Sequence, residues 1–529
     1  MSVESPNMDT FNQVLANLRS RKAFIRLLDP DEATHINLGD LGDLIAGNAK
    51  HFRAQGVNPG DSVAISLKND LEHIVSFLAL VALGAIPVSI KPARTMTPSY
   101  IEETSRLCNL YEINHCYHTL ALNSRTRLIH WQAKPINQNR SVIIETQPDD
   151  VAFVQFSSGS TGTPKPIPIT HGNLMANLLT ILCVETRKPE ETAFNFLPLS
   201  HDMGLIGGLL SNLVLQNSLL LTGPSQFLRH PIEVLKIGQQ YNIGGLAMPD
   251  FSLRHLGRML ELTRTDRVPT RLFAGIRFIY CGAETIRFET IDRFIAAALP
   301  LGLNPRALFL CYGLAEATLL VAGGHFDSMQ TSFDHRATGQ PLACVGRALG
   351  NFEIRIGEPD EHNGDVSHVE GREGPIHLRG PSVFPGYWKE RPRPKDGWFR
   401  TGDIGRFRAG NLYISGREKD LLIVNGENIF PNDIEHLIAS NFDVRDCLAM
   451  VDDEQLYILI AANAAKPVRS QAVSALICAT FGISPRAILN ASAKDILRTT
   501  SGKPKRKETL MAARQRGLLD IPAPFDFAG

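Results

Sequence analysis

The chain has 529 residues, and its 54 Lys and Arg residues balance its 54 Asp and Glu residues, so the formal net charge is zero. This length exceeds what one hydrophobic core usually organises, so we expect two or three domains. The balanced charge, without a long basic run, argues against a nucleic-acid or anionic-membrane surface. Small molecules or proteins are the expected partners.

Cysteine usage and the N-terminal sequence bear on the compartment. The eight cysteines include no C-x-x-C pair and no His/Cys cluster at metal-ligand spacing, which favours a reduced, intracellular protein. The first residues, "MSVESPNMDTFNQV", lack the basic start and apolar core of a signal peptide. The longest apolar stretch, 74–90, contains Gly84 and Pro87 and is short for a bilayer. We therefore expect a soluble, cytoplasmic protein without a membrane span.

The first informative segment is a strand followed by a Ser/Gly-rich loop. The apolar run Val151–Phe156 predicts a buried strand, and the stretch from Leu174, with Asn173 as a possible cap, predicts a helix. Between them lies "SSGSTGTPK". As a P-loop this match fails, because Pro164 and Pro166 stand where the second glycine and the hydroxyl are needed. An anion-binding nest of backbone N–H groups remains, although such a loop is more often a surface linker.

The same order of strand, polar loop and helix is predicted twice more, at 276–286 and at 307–321. Alternation of this kind indicates an α/β architecture with parallel strands. Ligands of such sheets bind beyond the carboxyl ends of the strands, where all three segments carry glycine and polar residues.

The C-terminal part has a different pattern. The stretch 405–416 predicts a hairpin around Gly410 and Asn411, and a strand, a turn and a helix beginning near Pro431 follow it. We predict a large domain at 1–416 and a small α+β domain at 417–529. The basic segment 497–510, "LRTTSGKPKRKETL", reads on its own as a solvated loop.

Seven motifs, taken together and in this order, resemble the adenylate-forming superfamily of acyl-CoA synthetases, luciferases and peptide-synthetase adenylation domains. They are "SSGSTGTPK", "LPLSHDMGLIGG", "YCGAET", "YGLAEAT", "FRTGDIGRF", "GREKDLLIVNGENIFPNDIE" and "TTSGKPKRK". The resemblance implies a large N-terminal domain of parallel-sheet α/β subdomains with a small β-barrel-like part, and a small mobile C-terminal domain. It also implies that a carboxylate attacks the α-phosphate of ATP to form an acyl adenylate and release pyrophosphate.

The resemblance assigns roles to individual residues. Those implied to bind the departing phosphates are Ser158, Ser160, Thr161, Gly162 and Lys165. Glu316 would hold Mg²⁺, although a carboxylate at a helix start is its other reading. The residues implied to bind adenosine are Gly282, Ala283, Glu284, Tyr312, Gly313, Asp403 and Arg417. Within that set Tyr312 would stack on the base and Asp403 would accept hydrogen bonds from the ribose.

Two lysines near the C-terminus have roles in the same picture. Lys503 matches the lysine that the small domain inserts beside the carboxylate and the α-phosphate, and a flexible point charge suits that task. Lys419 matches the hinge about which the small domain turns between two half-reactions.

"LPLSHDMGLIGGLL" and "YGLAEATLLV" resemble fatty acyl-AMP ligases in particular. His201 would then lie near the substrate carboxylate, and an aliphatic tunnel is implied. The residues expected to line this tunnel are Asp202, Gly204, Leu205, Ile206, Gly207, Gly208, Leu246, Met248, Asp250 and Phe251. For at least half of the apolar ones, an ordinary core position is the alternative.

Two departures from the family pattern leave questions open. The segment 322–345 is short where fatty acyl-AMP ligases carry an insertion, so the acceptor is either a carrier-protein phosphopantetheine thiol, which we expect, or CoA. Asp250 stands where Asn is expected, and it could pair with a substrate amine or act as a turn residue after Pro249. An amino-acid adenylating enzyme, which would use Asp202 for the α-amine, and a non-catalytic ATP- or acyl-binding protein are the further alternatives.

Overall fold

The fold is taken from a computed structural model, and the described residues are 8–28, 34–93, 95–117, 126–133, 140–156, 164–185, 188, 190–263, 267–334, 341–359, 370–424, 427–452, 455–462, 467–498 and 504–516. Five predicted site residues lie outside these ranges: Ser158, Ser160, Thr161, Gly162 and Lys503. Their roles stay predictions.

Strands and helices alternate through the first 330 residues. In chain order, strands β1 to β14 are Phe24–Leu27, His35–Asn37, Ser62–Ser66, Ile86–Ile90, His115–Tyr117, Arg127–Ile129, Val151–Phe156, Pro166–Thr170, Thr192–Asn195, Ser218–Leu221, Ile243–Ala247, Phe278–Cys281, Leu308–Gly313 and Leu320–His325. Helices α1 to α10 are Phe11–Ala16, Leu38–Ala54, Leu71–Ala82, Pro98–Leu110, His171–Val184, Ser211–Leu215, Pro224–Arg229, Pro231–Gln240, Asp250–Leu262 and Phe288–Ala298. A π-helix, Met203–Leu210, precedes α6.

The remaining elements are mostly antiparallel strands and the helices of the C-terminal part. Strands β15 to β26 are Phe333–Asp334, Leu342–Ala343, Arg347–Ala348, Glu353–Ile356, Gly374–Arg379, Phe399–Arg408, Asn411–Arg417, Leu422–Val424, Glu427–Ile429, Val444–Asp452, Gln455–Ala462 and Ala487–Asn490. Helices α11 to α13 are Pro431–Asn441, Ser470–Phe481 and Arg506–Gln515.

Two large sheets confirm the predicted α/β architecture. One has the strand order β17-β14-β13-β12-β11-β9-β10-β1-β2, and the run from β13 to β1 is parallel throughout. The other has the order β6-β5-β3-β4-β7-β8 and is parallel except at β8. The carboxyl ends of β11, β12 and β13 therefore meet at one edge.

The segment after the Ser/Gly loop differs from the prediction. The strand β7 is confirmed, but the loop leads into an additional strand, β8, and α5 begins at His171, not Leu174. Thr170 caps this helix by accepting a hydrogen bond from the Asn173 backbone N–H at 3.0 Å. The prolines at 166 and 168 argue against a strand in the sequence. They are tolerated because β8 is an edge strand of the sheet.

The third predicted strand-loop-helix unit is wrong in its last part. After β13 the chain makes one 3₁₀ turn, Ala315–Ala317, and returns as β14, which pairs antiparallel with β13. Glu316 therefore lies in a tight turn between two strands and not at the start of an α-helix. The run "LVAGGH" forms a strand because β13 offers a pairing edge, which is a tertiary effect.

The predicted hairpin is confirmed, with its turn one residue earlier. Arg408 pairs with Asn411 across the turn, and Ala409 and Gly410 both have positive φ, of 51° and 69°. Two residues in the left-handed region are typical of the tightest hairpin loops. The strands β18 to β21 form a four-stranded antiparallel sheet, and the small β-barrel-like part stays a prediction.

The hydrophobic cores separate the C-terminal part from the rest. The largest cluster of buried residues runs from Phe11 to Leu412, whereas residues from Leu422 to Leu510 pack in clusters of their own on either side of the β24-β25-β26 sheet. A large N-terminal and a small C-terminal domain follow from this separation. The boundary between residues 416 and 417 stays a prediction.

We expect acid to destabilise the large domain through His171. This side chain is 1% exposed, and its Nδ1 accepts the Phe11 backbone N–H at 3.2 Å. Burial lowers the pKa of His171 from 6.5 to about 4. Because the unfolded chain binds this proton more tightly, stability present above pH 6.5 is lost as the pH falls towards 4, by about 2 kcal/mol between pH 7.5 and 5.

Urea unfolding at pH 7.5, 6 and 5 measures this loss. His171→Asn is the matched variant, since an amide oxygen can still accept the Phe11 N–H but does not titrate. The variant should lose less stability than the wild type over this range. An equal loss in both proteins would contradict the assignment.

Candidate active site

A cavity of about 1810 Å³ lies beyond the carboxyl ends of β11, β12 and β13. Both domains contribute to its wall, with Tyr312, Asp403 and Arg417 from the β-strands and Pro504 and Lys505 from the segment before α13. This position is the one expected for a ligand of a parallel α/β sheet. The described site residues that line it are Lys165, His201, Asp202, Gly207, Gly208, Ala283, Glu284, Tyr312, Gly313, Glu316, Asp403, Arg417 and Lys419.

Asp403 is the centre of a buried polar cluster. Its Oδ2 accepts the Tyr312 hydroxyl at 2.6 Å, and its Oδ1 lies 2.8 Å from Nε of Arg417. The antiparallel pairing of β20 and β21 places Asp403 opposite Arg417. The carboxylate raises the pKa of the Arg417 guanidinium, while burial followed by the Asp403 charge raises the pKa of Tyr312. The cluster fixes a carboxylate that still has lone pairs for hydroxyl donors.

Glu316 faces the cavity from its 3₁₀ turn. Its Oε1 accepts the Tyr387 hydroxyl at 3.2 Å, and its backbone carbonyl accepts the Phe384 N–H at 2.8 Å. Burial raises the pKa of Glu316. Glu316 forms no ion pair with any residue that the structure describes. A buried carboxylate with only a neutral donor suits a cation.

Lys165 follows the Ser/Gly loop and meets the same tyrosine. Its Nζ lies 4.6 Å from the centre of the Tyr387 ring, within cation–π distance. Sequence analysis missed Tyr387, which follows Gly386 in "FPGYWKE". The glycine at φ 127° marks a special turn, but nothing in the sequence shows that the next side chain reaches both Lys165 and Glu316.

His201 and Asp202 stand where the π-helix begins. The His201 Nδ1 lies 2.5 Å from the Asp202 carboxylate, and the same carboxylate accepts the Met203 backbone N–H at 2.7 Å. A carboxylate at the N-terminus of a helix is electrostatically favourable. Asp202 is thus occupied within the chain by His201 and the helix start.

The segment 282–284 has two special backbone positions. A Cβ at Gly282 would lie 2.6 Å from the Cys311 carbonyl oxygen, so glycine is required for this close approach. Ala283 has a φ of 67°, in the left-handed region that non-glycine residues rarely adopt. Glu284 accepts the Phe251 backbone N–H at 2.7 Å, and burial, with the nearby Asp250 charge, raises the pKa of Glu284.

Asp250 is part of an ion pair inside the large domain. It is the first residue of α9, is fully buried, and is absent from the cavity wall. Its Oδ1 accepts the Arg287 backbone N–H at 2.9 Å and its Oδ2 lies 3.2 Å from the Arg287 guanidinium. An intramolecular cation therefore already pairs with this carboxylate, and a contact with a substrate amine stays a prediction.

The glycines of the π-helix differ in their surroundings. A Cβ at Gly204 would lie 2.3 Å from the Pro198 carbonyl oxygen, and one at Gly208 would lie 2.2 Å from the Asn195 amide nitrogen. Gly204 is therefore a packing residue, outside the cavity wall. At Gly207 a Cβ would meet only the flexible end of Leu319, at 3.1 Å.

Part of the cavity wall is apolar and includes Gly207 of this helix; we call this part the apolar branch. Its wall includes Ile181, Ala193, Phe194, Gly207, Leu246, Leu319 and Leu320. The predicted tunnel residues Leu205, Ile206, Met248 and Phe251 do not line it, and the first three are buried in the core.

The small domain is held against the segment 284–289 by polar contacts. The Asn432 amide donates to the Thr285 hydroxyl at 3.0 Å, and Glu435 lies 3.8 Å from the Arg287 guanidinium. Arg506 pairs with Glu435 and donates to the Asn432 side chain at 2.8 Å. These contacts place the segment beginning at Pro504 over the cavity that Glu316 and His201 line.

The site meets the needs of Mg²⁺ bound with a nucleotide. The described residues contain no group of three or more His, Cys, Asp or Glu side chains that could enclose a metal. Magnesium bound with substrate phosphates needs only one or two carboxylates from the protein, and the buried Glu316 supplies one.

No helix in the described ranges has the length and apolarity needed to cross a membrane.

The family model described as AMP-binding enzyme matches residues 11–388. The long-chain-fatty-acid–AMP ligase FadD26 of Mycobacterium tuberculosis is 29% identical over 88% of this chain and 89% of its own, and the putative fatty-acid–CoA ligase fadD25 of that organism is 28% identical over 88% and 90%. The solved structure of a fatty acyl-adenylate ligase from L. pneumophila with acyl adenylate and pyrophosphate has 25% identity and a TM-score of 0.71, and the match covers 99% of this chain and 98% of that one. These matches confirm the superfamily predicted from the seven motifs: this chain is an enzyme of the AMP-binding family.

Proposed function

We propose that the protein is a fatty acyl-AMP ligase. It activates a fatty or related hydrophobic carboxylic acid with ATP, forms the acyl adenylate and releases pyrophosphate. The observation that carries this proposal is one cavity in which an apolar branch meets Glu316, His201 and the Asp403–Arg417 pair. The similarity to a long-chain-fatty-acid–AMP ligase over most of the chain supports the choice of substrate class.

The barrier of the first half-reaction is the approach of two anions, and positive charge around the α-phosphate lowers it. Lys165, with the loop before it, would bind the β- and γ-phosphates. Glu316 would hold Mg²⁺, which neutralises phosphate charge when it is bound. Lys503 would add its charge beside the carboxylate and the α-phosphate.

Adenosine would be oriented by the cluster around Asp403. The carboxylate, already fixed by Tyr312 and Arg417, has lone pairs left for the ribose hydroxyls. The Tyr312 ring would stack on adenine beside Gly282 and Ala283. His201 lines the same cavity as the apolar branch and Glu316, which suits a contact with the substrate carboxylate.

We further propose an acyl carrier protein as the acceptor, with transfer to its phosphopantetheine thiol. CoA and a carrier present the same thiol arm, so a protein surface must separate them. The basic segment around Lys505 and Lys507 would suit a typically acidic carrier through a salt-sensitive contact. The short segment 322–345 and the likeness to a putative fatty-acid–CoA ligase favour CoA as the second candidate.

The eight cysteines are all free thiols, which suits a reducing compartment, and we propose a cytoplasmic location.

Pyrophosphate exchange with a panel of acids tests the proposed function. We expect exchange that depends on long or medium-chain fatty acids and not on amino acids. Absence of exchange with every acid would make the chain a binding protein. Acyl transfer to holo-carrier and to saturating CoA, compared at low and high salt, then decides the acceptor: the proposal requires the carrier to be faster and to slow as salt rises.

Replacing Gly207 by leucine should shorten the preferred acid. Gly207 is the π-helix glycine at which a side chain would meet a movable neighbour, the end of Leu319, so the new side chain can occupy the apolar branch without breaking the fold. We expect kcat/KM for long acids to fall roughly tenfold or more relative to short ones. Gly223→Leu, at a position with open space around it, is the control. A loss that is uniform across chain lengths would show that Gly207 does not face the acyl chain.

A further inference from the structure

Tyr387 contacts both Lys165 and Glu316, the two charged residues that the proposed reaction needs apart. Its hydroxyl donates to Glu316 Oε1 at 3.2 Å, and its ring face lies 4.6 Å from the Lys165 ammonium. Lys165 and Glu316, both described residues, form no ion pair with each other. One aromatic side chain thus contacts a cation with its face and a carboxylate with its edge.

The backbone around Tyr387 fixes this arrangement from both sides. The Trp388 N–H donates to the Pro166 carbonyl at 3.0 Å, next to Lys165, and the Phe384 N–H donates to the Glu316 carbonyl at 2.8 Å. The Phe384 ring packs edge-on against Tyr387, with centroids 5.0 Å apart. The segment 384–388 therefore forms backbone hydrogen bonds both with the residue after Lys165 and with the turn that carries Glu316.

We propose that Tyr387 is a positioning residue that keeps Lys165 and Glu316 from pairing and orients both towards Mg·ATP. This inference rests on the proposed function. Two opposite charges on one cavity wall would otherwise attract each other, and each would lose the partner it needs. The ring interposes a surface that attracts the ammonium weakly, so that phosphate oxygens can displace it. The hydroxyl directs the carboxylate as outer-shell donors direct metal ligands.

Two substitutions separate the two contacts. Tyr387→Phe removes the hydroxyl and keeps the ring, so only the orientation of Glu316 is lost. Tyr387→Leu removes both, and it allows Lys165 to move towards Glu316. Tyr117→Phe is the matched control, because Tyr117 is buried and donates to Glu72 at 2.8 Å but lies outside the cavity wall.

Calorimetric binding of ATP, without any acid, is the measurement. In Tyr387→Phe we expect the Mg²⁺ concentration that half-saturates ATP binding to rise roughly tenfold or more, with ATP affinity in EDTA unchanged. In Tyr387→Leu we expect ATP affinity in EDTA to fall as well, roughly two- to fivefold. Tyr117→Phe should match the wild type in both measurements.

An unchanged Mg²⁺ requirement in Tyr387→Phe would overturn the inference. Equal losses of ATP affinity in EDTA in the two variants would also overturn it, because they would indicate a general disturbance of the site. These outcomes do not depend on the acid. If wild type binds Mg·ATP but activates no acid, the proposed function fails while the comparison of variants still decides the role of Tyr387.

Discussion

Replacing Lys503 by alanine is expected to slow formation of the acyl adenylate by ~100-fold or more while leaving ATP affinity nearly unchanged. Lys503 lies outside the described residues, but Pro504 and Lys505, which follow it, line the same cavity as Glu316 and His201. We therefore expect the Lys503 side chain to act in the α-phosphate region. Its charge matters most when negative charge develops in the transition state, so the rate falls more than binding.

Single-turnover formation of the acyl adenylate measures the rate, and calorimetry measures ATP binding. Lys494→Ala, which removes an exposed lysine of the same domain, is the control for the change in net charge. Pyrophosphate exchange at the wild-type rate in Lys503→Ala would contradict the role of Lys503 in adenylate formation. An equal loss of rate and affinity would make Lys503 an ordinary phosphate contact.

The parallel strands that carry the motifs could be predicted because each is a short apolar run that ends in glycine and polar residues. β7 has the predicted bounds, and β12 and β13 begin within two residues of the starts of the predicted units at 276 and 307. The two misses have one physical cause. β8 contains prolines and β14 follows a motif loop, and each is a strand because a neighbouring strand offers an edge.

The contact partners of individual side chains were harder to predict from the sequence. Asp250 finds its partner Arg287 37 residues later, and Tyr387 lies 71 residues from Glu316. Sequence spacing does not predict such pairs, because only tertiary folding brings the two residues together. Residue type limits what a position can do, while its neighbours decide which contacts it makes. The half-buried Arg287, for example, makes Asp250 half of an ion pair.

The side-chain contacts between the large and the small domain could not be predicted from the sequence either. Glu435 of the small domain lies between Arg506 and Arg287, and Arg287 also pairs with Asp250. A row of charges therefore runs from the core of the large domain to α13. Each charge in this row has an opposite neighbour, as burial requires. The sequence predicted that the two domains meet but not which residues connect them.

Asp403→Asn is expected to lower kcat/KM for ATP by about 100-fold and to remove the preference for ATP over 2′-deoxy-ATP. The wild-type carboxylate only accepts hydrogen bonds, and Tyr312 and Arg417 already donate to it. An amide replaces one acceptor by a donor, so one of these two residues or the ribose must lose its contact. Because Asp403 is 4% exposed, water cannot restore that contact.

Tyr312→Phe separates ribose recognition from the integrity of the cluster. This variant removes the hydroxyl that donates to Asp403 but keeps the ring for stacking and the carboxylate for the ribose, so it should retain the preference for ATP over 2′-deoxy-ATP. Thermal unfolding of both variants shows whether the loss of the Arg417 counter-charge in Asp403→Asn, or of the Tyr312 hydroxyl in Tyr312→Phe, has disturbed the fold. If Asp403→Asn discriminates between the two nucleotides as strongly as the wild type does, the carboxylate does not contact the 2′-hydroxyl. Its role would then be to hold Tyr312 and Arg417 in place.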